Sequence, residues 1–444
     1  MGRSIFGSFF GGIHPAARKE STRRKPLMRL DIAPARISIP LDMCFGTSAL
    51  PVVRVGEYVM VGQLIAAADG EKSANVHASV SGMVEGIQMR PFPWGGTVPS
   101  IVISNDGTDT PYPNPLSPLD PENTSQEEII QRIFDAGVTD MGRDMSPAHW
   151  KILQARGRAD TLIINAAESD PYVTADHRLL LEQGELILLG AHILSRALGV
   201  KRTVIAVEGD KLNAVEAMEQ ALGHRHKGVS LLTLPSRYPL GGEKQIVQAV
   251  TGREVPPGGS ALDARCVVFN VAAAFAVAEA VVKGAPVTHR AVTISGGALY
   301  RPRNLWVPIG TLLKDLVMAA DGFREQPELM LLGGPMSGIE LEDITAPVIK
   351  NTNSLLCLAG WERPTPQPTT TCIRCGKCVS ACPMHLAPVM VRRALRDGDH
   401  KRLKRLHPQD CMQCGCCSYT CPSNIPLVAT MRTARAVLAK EVER

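Results

Sequence analysis

Cys372-Ile-Arg-Cys375-Gly-Lys-Cys378-Val-Ser-Ala-Cys382-Pro383 and, further on, Cys411-Met-Gln-Cys414-Gly-Cys-Cys417-Ser-Tyr-Thr-Cys421-Pro422 are two copies of one pattern, C-x2-C-x2-C-x3-C-P. At this spacing a chain wraps three thiolates around one face of an iron–sulfur cubane and sends the fourth to a neighbouring cluster. The expected ligand sets are therefore Cys372, Cys375, Cys378 and Cys421 for one [4Fe-4S] cluster, and Cys382, Cys411, Cys414 and Cys417 for the other. Gly376 and Gly415 keep the turns compact. The competing reading, two structural zinc sites, calls for paired C-x2-C knuckles separated by a longer loop, and neither the triple spacing nor the closing Cys-Pro suits it. Cys416 lies inside the second motif but out of phase with the ligand positions, and the isolated Cys44, Cys266 and Cys357 read as buried free thiols.

Working outward, residues 383–410 carry Leu386, Val389, Met390, Val391, Leu395, Leu403 and Leu406, room for two short helices, so the tail is expected to be an α-helical dicluster ferredoxin-type module. The same stretch holds Arg392, Arg393, Arg396, Lys401, Arg402, Lys404 and Arg405, a docking face for an acidic redox partner or a solvated face. Pro364 to Pro368 reads as the hinge into this tail.

A chain of 444 residues exceeds what one core usually supports, and several domains are expected. The formal charge of +5 argues neither for a nucleic-acid binder nor against an acidic protein partner, and an aromatic content of 4% leaves few platforms on which bases could stack, so no nucleic-acid partner is expected. The most apolar run, Cys266 to Val282, is broken by Asn270 and Glu279 and reads as core rather than a membrane span. Ile5 to Ile13 is too short and too soon followed by charge for a signal peptide, which places the chain in a reducing compartment where clustered cysteines bind metal before they form disulfides.

Residues 1–30 form an N-terminal segment. Residues 31–105 carry short β-rich runs (Ile37–Pro40, Val52–Val55, Tyr58–Val61, Val76–Val80) punctuated by glycine, and 106–125 a proline-rich linker. Residues 126–285 alternate helix and strand, with Thr161–Asn165, Thr203–Val207 and Leu231–Leu234 as strands of an α/β domain; 286–350 is a smaller mixed module and 351–444 the cluster-binding tail.

With these boundaries drawn, four stretches together resemble the RnfC family, a component of the Rnf (Rsx) ion-translocating electron-transport complex, nearly end to end: the cluster motifs, Gly11-Gly-Ile-His-Pro15, Ile164-Asn-Ala-Ala-Glu-Ser-Asp-Pro-Tyr172, and Glu254-Val-Pro-Pro-Gly-Gly259. The resemblance implies a multidomain α/β protein: a β barrel-sandwich (lipoyl-like) module, an α/β domain like the flavin subunit of complex I, a β-grasp (SLBB-like) module, and the dicluster tail. It implies an electron relay from NADH through FMN and the two clusters to membrane subunits, on the cytoplasmic face of the inner membrane, with no span of its own. Carried over by position, Gly142, Asn165, Glu168, Asp170, Tyr238, Glu243 and Asn270 are the expected flavin and nucleotide residues.

The departures bear on that last expectation. The family's run G-x-G-G-x-G-F-P is here Asp140-Met-Gly-Arg-Asp-Met-Ser-Pro147, and the glycine and threonine that follow Asn270 are Ala272 and Ala273. Side chains at these places crowd the backbone approach a phosphate needs. FMN and NADH are thus expected to bind weakly or not at all, with electrons arriving from another donor such as a protein; the alternative is that FMN still binds and NADH is the donor. Lys72, in the setting Gly-Glu-Lys-Ser-Ala, lacks the context of a lipoyl or biotinyl carrier lysine and reads as an ordinary exposed side chain. Two other functions compete: a soluble iron–sulfur flavoprotein like the microcompartment cobalamin reductases, and a zinc-stapled scaffold without redox activity.

Overall fold

The computed structural model describes residues 7–31, 33–223, 228–362 and 368–442; the hinge read at Pro364 to Pro368 falls largely outside them. A four-stranded, all-parallel sheet organises the centre, in the order Val229–Leu234, Arg202–Glu208, Thr161–Ala166, Cys266–Asn270. Thr161–Ala166, Arg202–Glu208 and Cys266–Asn270 are almost continuously buried, as strands of a parallel sheet are when helices cover both faces, while the edge strand Val229–Leu234 is only partly so. The deepest of these helices, Gly184–Leu198 and Val271–Val282, pack directly on one another, and Gly190 is what permits it: a Cβ there would sit 1.8 Å from the Ala274 carbonyl oxygen. All four strands end on the same edge, and in such sheets the carboxyl edge is where ligands lie.

Two smaller β modules flank this domain. The barrel-sandwich is a four-stranded antiparallel sheet (Arg36–Pro40, Thr97–Asn105, Gly82–Pro91, Tyr58–Val59) facing a three-stranded one (Leu50–Pro51, Leu64–Ala67, Val76–His77). Three of its strands differ from the sequence reading: pairing falls on Leu50–Pro51 rather than Val52–Val55, whose Val52 and Val55 are exposed, and the runs from Tyr58 and from Val76 form strands only over their first two residues. The proline-rich 106–125 segment is tied down rather than free, with Leu119 N–H donating to the Val281 carbonyl and Val61 N–H to that of Thr110.

The β-grasp sheet corrects two expected boundaries. Its order is Leu27–Arg29, Arg303–Pro308, His289–Ser295, Ser354–Leu358, Leu329–Leu332, Ile339–Glu340. The N-terminal segment thus supplies an edge strand, and a strand beyond residue 350 supplies a central one. The second pairs with His289–Ser295 on one side and Leu329–Leu332 on the other, and all five residues of Ser354–Leu358 are buried. The tail then folds as short helices, Lys377–Ser380, Pro388–Arg396, His400–Arg405, Cys416–Tyr419 and Leu427–Val442.

Candidate functional site

The two cysteine motifs fold as repeats of one backbone path. Arg374 and Gln413, Gly376 and Gly415, and His385 and Asn424 all take positive φ at matching places, and each glycine opens a one-turn helix carrying the third cysteine. Cys382, Cys411, Cys414 and Cys417 line a single void, with Cys416 also on its wall, together with Met384, Leu386, Met412, Val428 and Met431. Cys372, Cys378 and Cys421 pack around Ile425 and Leu427 next to Cys417, and Cys375 is exposed at the surface. Each grouping thus contains a sulfur from the other motif. Among the described residues no group of three Cys, His, Asp or Glu side chains is placed to hold a single metal ion. Burial pushes the thiols of Cys378, Cys382 and Cys411 up, and that of Cys417 to about 12, so the thiolates the site needs are stabilised by the positive charge of iron. Cys416, buried beside the set, hydrogen-bonds the Cys414 sulfur, and Cys266 and Cys357 are buried thiols.

The second sulfur group lies against the α/β domain. Tyr238 Oη donates to the Cys414 carbonyl at 2.9 Å, Gln245 Nε2 to the Pro383 carbonyl at 3.2 Å, and Gly258 N–H to Asp410 Oδ1 at 2.8 Å. A strap from the N-terminal segment seals the joint: Ile13 and Tyr238 exchange backbone hydrogen bonds of 2.8 and 3.0 Å, Gly12 N–H donates to the Ala381 carbonyl, and Phe10 stacks on His385. Gly11 has φ +75°, and a Cβ on it would come within 2.7 Å of the Cys382 carbonyl. The sequence offered this Gly-Gly-Ile-His-Pro run only as a family mark; its placement beside a cluster ligand was not legible, because the contact spans most of the chain.

A cavity of about 570 Å³ opens at the carboxyl edge of the parallel sheet, closed on one side by the β-grasp loop 333–340 and on another by Met412 and Gln413, the residues between two cysteines of the second sulfur group. Gly142, Asn165, Glu168, Asp170, Tyr238 and Asn270 all line it. Glu243 does not; it begins the helix Glu243–Thr251, and its carboxylate accepts the Ala261 N–H. Both asparagines are spent internally, Asn165 on Gly241 and Ala167, Asn270 on Ala272 and Asp176. The carboxylates keep spare capacity: Glu168 Oε2, Asp170 Oδ1 and Asp176 Oδ1 are buried without a hydrogen-bond partner. Burial, reinforced by Asp176 and opposed by Lys19 and Lys211, pushes Glu168 up to about 7, and burial raises Asp170 as well.

The loop that departs from the family's glycine run is closed by a Thr139–Pro147 bridge. Lys151 Nζ lies 2.6 Å from both Asp140 Oδ2 and Asp144 Oδ2, while Asp140 Oδ1 accepts the N–H groups of Asn270 and Gly142 at 3.1 and 3.3 Å. These residues do not fit the phosphate of a bound flavin, because the cation and amides that would hold it already serve a carboxylate of the chain. Sequence reading flagged the lost glycines but missed Lys151.

Four family profiles match the chain: an RnfC barrel sandwich hybrid domain over residues 7–108, a Nuo51 FMN-binding domain over 133–279, an SLBB domain over 291–340 and a 4Fe-4S dicluster domain over 371–425. The C subunit of the ion-translocating oxidoreductase complex of Rhodobacter capsulatus is 41% identical over 88% of this chain and 76% of its own. The C subunit of the Na(+)-translocating ferredoxin:NAD(+) oxidoreductase complex of Acetobacterium woodii is 37% identical over 87% and 86%, and its proton-translocating counterpart in Clostridium ljungdahlii 38% over 86% and 83%. A chain of an NAD+-reducing [NiFe]-hydrogenase covers 71% of this chain and 61% of its own at 19% identity, with a TM-score of 0.49.

Proposed function

We propose, from the premise that this chain belongs to the family of C subunits of ion-translocating oxidoreductase complexes, a specific electron route through its residues. The chain is an electron-transfer subunit of such a complex and carries two [4Fe-4S] clusters. Those clusters supply one-electron carrier chemistry; everything else is what the residues arrange. Cys382, Cys411, Cys414 and Cys417 hold the inner one and Cys372, Cys375, Cys378 and Cys421 the outer. The Cys411–Cys414 turn puts the inner cage against the cavity, and exposed Cys375 puts the outer cage at the surface. The route therefore runs between a donor or acceptor in the cavity and a protein partner at the outer cage, one of the membrane subunits.

Among the described residues no helix is long and apolar enough to cross a membrane, which supports a peripheral seat, on the cytoplasmic side where nicotinamide and ferredoxin pools lie. The relatives' names set aside the cobalamin-reductase and zinc-scaffold alternatives.

The carrying observation is the gathering of four sulfurs from both motifs around one void. Anaerobic purification with metal and sulfide analysis tests it: about eight irons and eight sulfides per chain are expected. In the Cys382→Ala and Cys421→Ala variants, EPR on reduction should lose the cluster of the opposite motif in each case; loss of the cluster of the same motif would overturn the crossed assignment, and a colourless zinc-bearing preparation the whole reading.

A further inference from the structure

We infer that the Asp140 carboxylate is a built-in occupant of the α/β domain's anion site, so that this chain anchors no phosphorylated flavin there. Three donors of the kind that bind a phosphate converge on it. Two are backbone amides, those of Gly142 and of Asn270, the residue that caps the twelve-residue helix Val271–Val282. The third is the Lys151 ammonium. Helix starts and clustered amides favour an anion, and here one is supplied by the same chain. Asp144 completes the clasp from the other side of the ammonium. Burial works to lower the lysine's pKa, yet the two carboxylates outweigh it and hold the group charged, above its ordinary value.

A phosphate entering here would have to displace Asp140 from its three donors, and would meet Asp144 as a second negative charge. Nor is the neighbouring space open: Arg143 lines the cavity where a glycine would leave it clear. The carboxylate oxygens of Glu168, Asp170 and Asp176 that accept no hydrogen bond, those of Glu168 and Asp176 lying 3.9 and 4.0 Å from Lys19 and Arg290, favour a ligand that brings hydrogen-bond donors, which a phosphate dianion does not. Whatever exchanges electrons with the inner cage across the cavity is accordingly held by donor groups of its own, not by a phosphate at residues 140–147.

The test uses the full holoprotein, wild type and variants matched for iron content, and two probes, FMN and inorganic phosphate, read by the FMN released on denaturation and by thermal unfolding. The wild-type chain should retain no FMN through gel filtration and show no melting shift with phosphate. Asp140→Gly combined with Asp144→Gly should vacate the site, so that phosphate raises the melting temperature and FMN binds roughly ten- to a hundredfold tighter, the ratio one charge-assisted hydrogen bond supports. Adding Lys151→Met should abolish both gains. If the glycine pair does not fold, the isosteric Asp140→Asn with Asp144→Asn should still acquire the phosphate-dependent melting shift. Stoichiometric FMN in the wild-type protein, or equal responses of wild type and variant to both probes, overturns the inference.

Discussion

Glu168 shows how one buried side chain sets a pH response. Its carboxyl is held at about 7, above its ordinary 4.5, chiefly by burial and then by Asp176, with Lys19 and Lys211 pulling the other way. The folded protein therefore binds a proton that the unfolded chain has released between those values, and stability falls as pH rises from about 4.5 to about 7. Glu168→Gln should flatten that part of the curve, measured by chemical denaturation at several pH values; an unchanged slope would mean that the proton resides elsewhere. The eight expected ligand cysteines were legible because their geometry is local, two or three residues between sulfurs. Glu243 was misplaced for the opposite reason: whether a carboxylate at a helix start faces a cavity or a neighbouring amide is decided by where residue 261 folds back. The Asp140–Lys151 contact is likewise tertiary, and it turns a missing-glycine argument into a filled site.

The helices and strands of the α/β domain were readable from periodicity, since buried parallel strands leave uninterrupted apolar runs. The β-grasp was harder, because its edge and centre come from segments far apart in sequence, Leu27–Arg29 and Ser354–Leu358, and no local pattern announces a partner. The strap is the element with the sharpest consequence for the site. Gly11→Ala must adopt a positive φ and press on the Cys382 carbonyl, at a cost of about 1–3 kcal/mol. The inner cluster should then lose iron to a chelator sooner than the outer one, a difference that EPR signals followed over time would resolve; equal loss from both would show that the strap does not guard the inner cage. At the helix contact, Gly190→Ala should cost at least as much in thermal stability, because the Ala274 backbone has no rotamer with which to yield.

At the scale of the molecule, charge is unevenly shared. Between Pro368 and Lys440 there are twelve Lys and Arg against three Asp and no Glu, although the whole chain carries only +5. The clusters and their thiolates take back part of that excess, and the outer surface of the tail stays basic around exposed Cys375, Arg374 and Lys377. Electron exchange with an acidic protein partner should accordingly slow several-fold between roughly 50 and 500 mM salt, as screening over a few ångströms removes the attraction; a rate indifferent to salt would point to an apolar contact through Ile373, Val379 and Tyr419, which are also exposed there. The strap's position in the chain bears on how the protein comes to exist at all. Residues 10–13 leave the ribosome hundreds of codons before Ala381, His385 and Cys414, the groups they close upon. Until translation reaches that far the strap has nowhere to dock, so it can close over the inner cage only after the cysteines of that cage have been made.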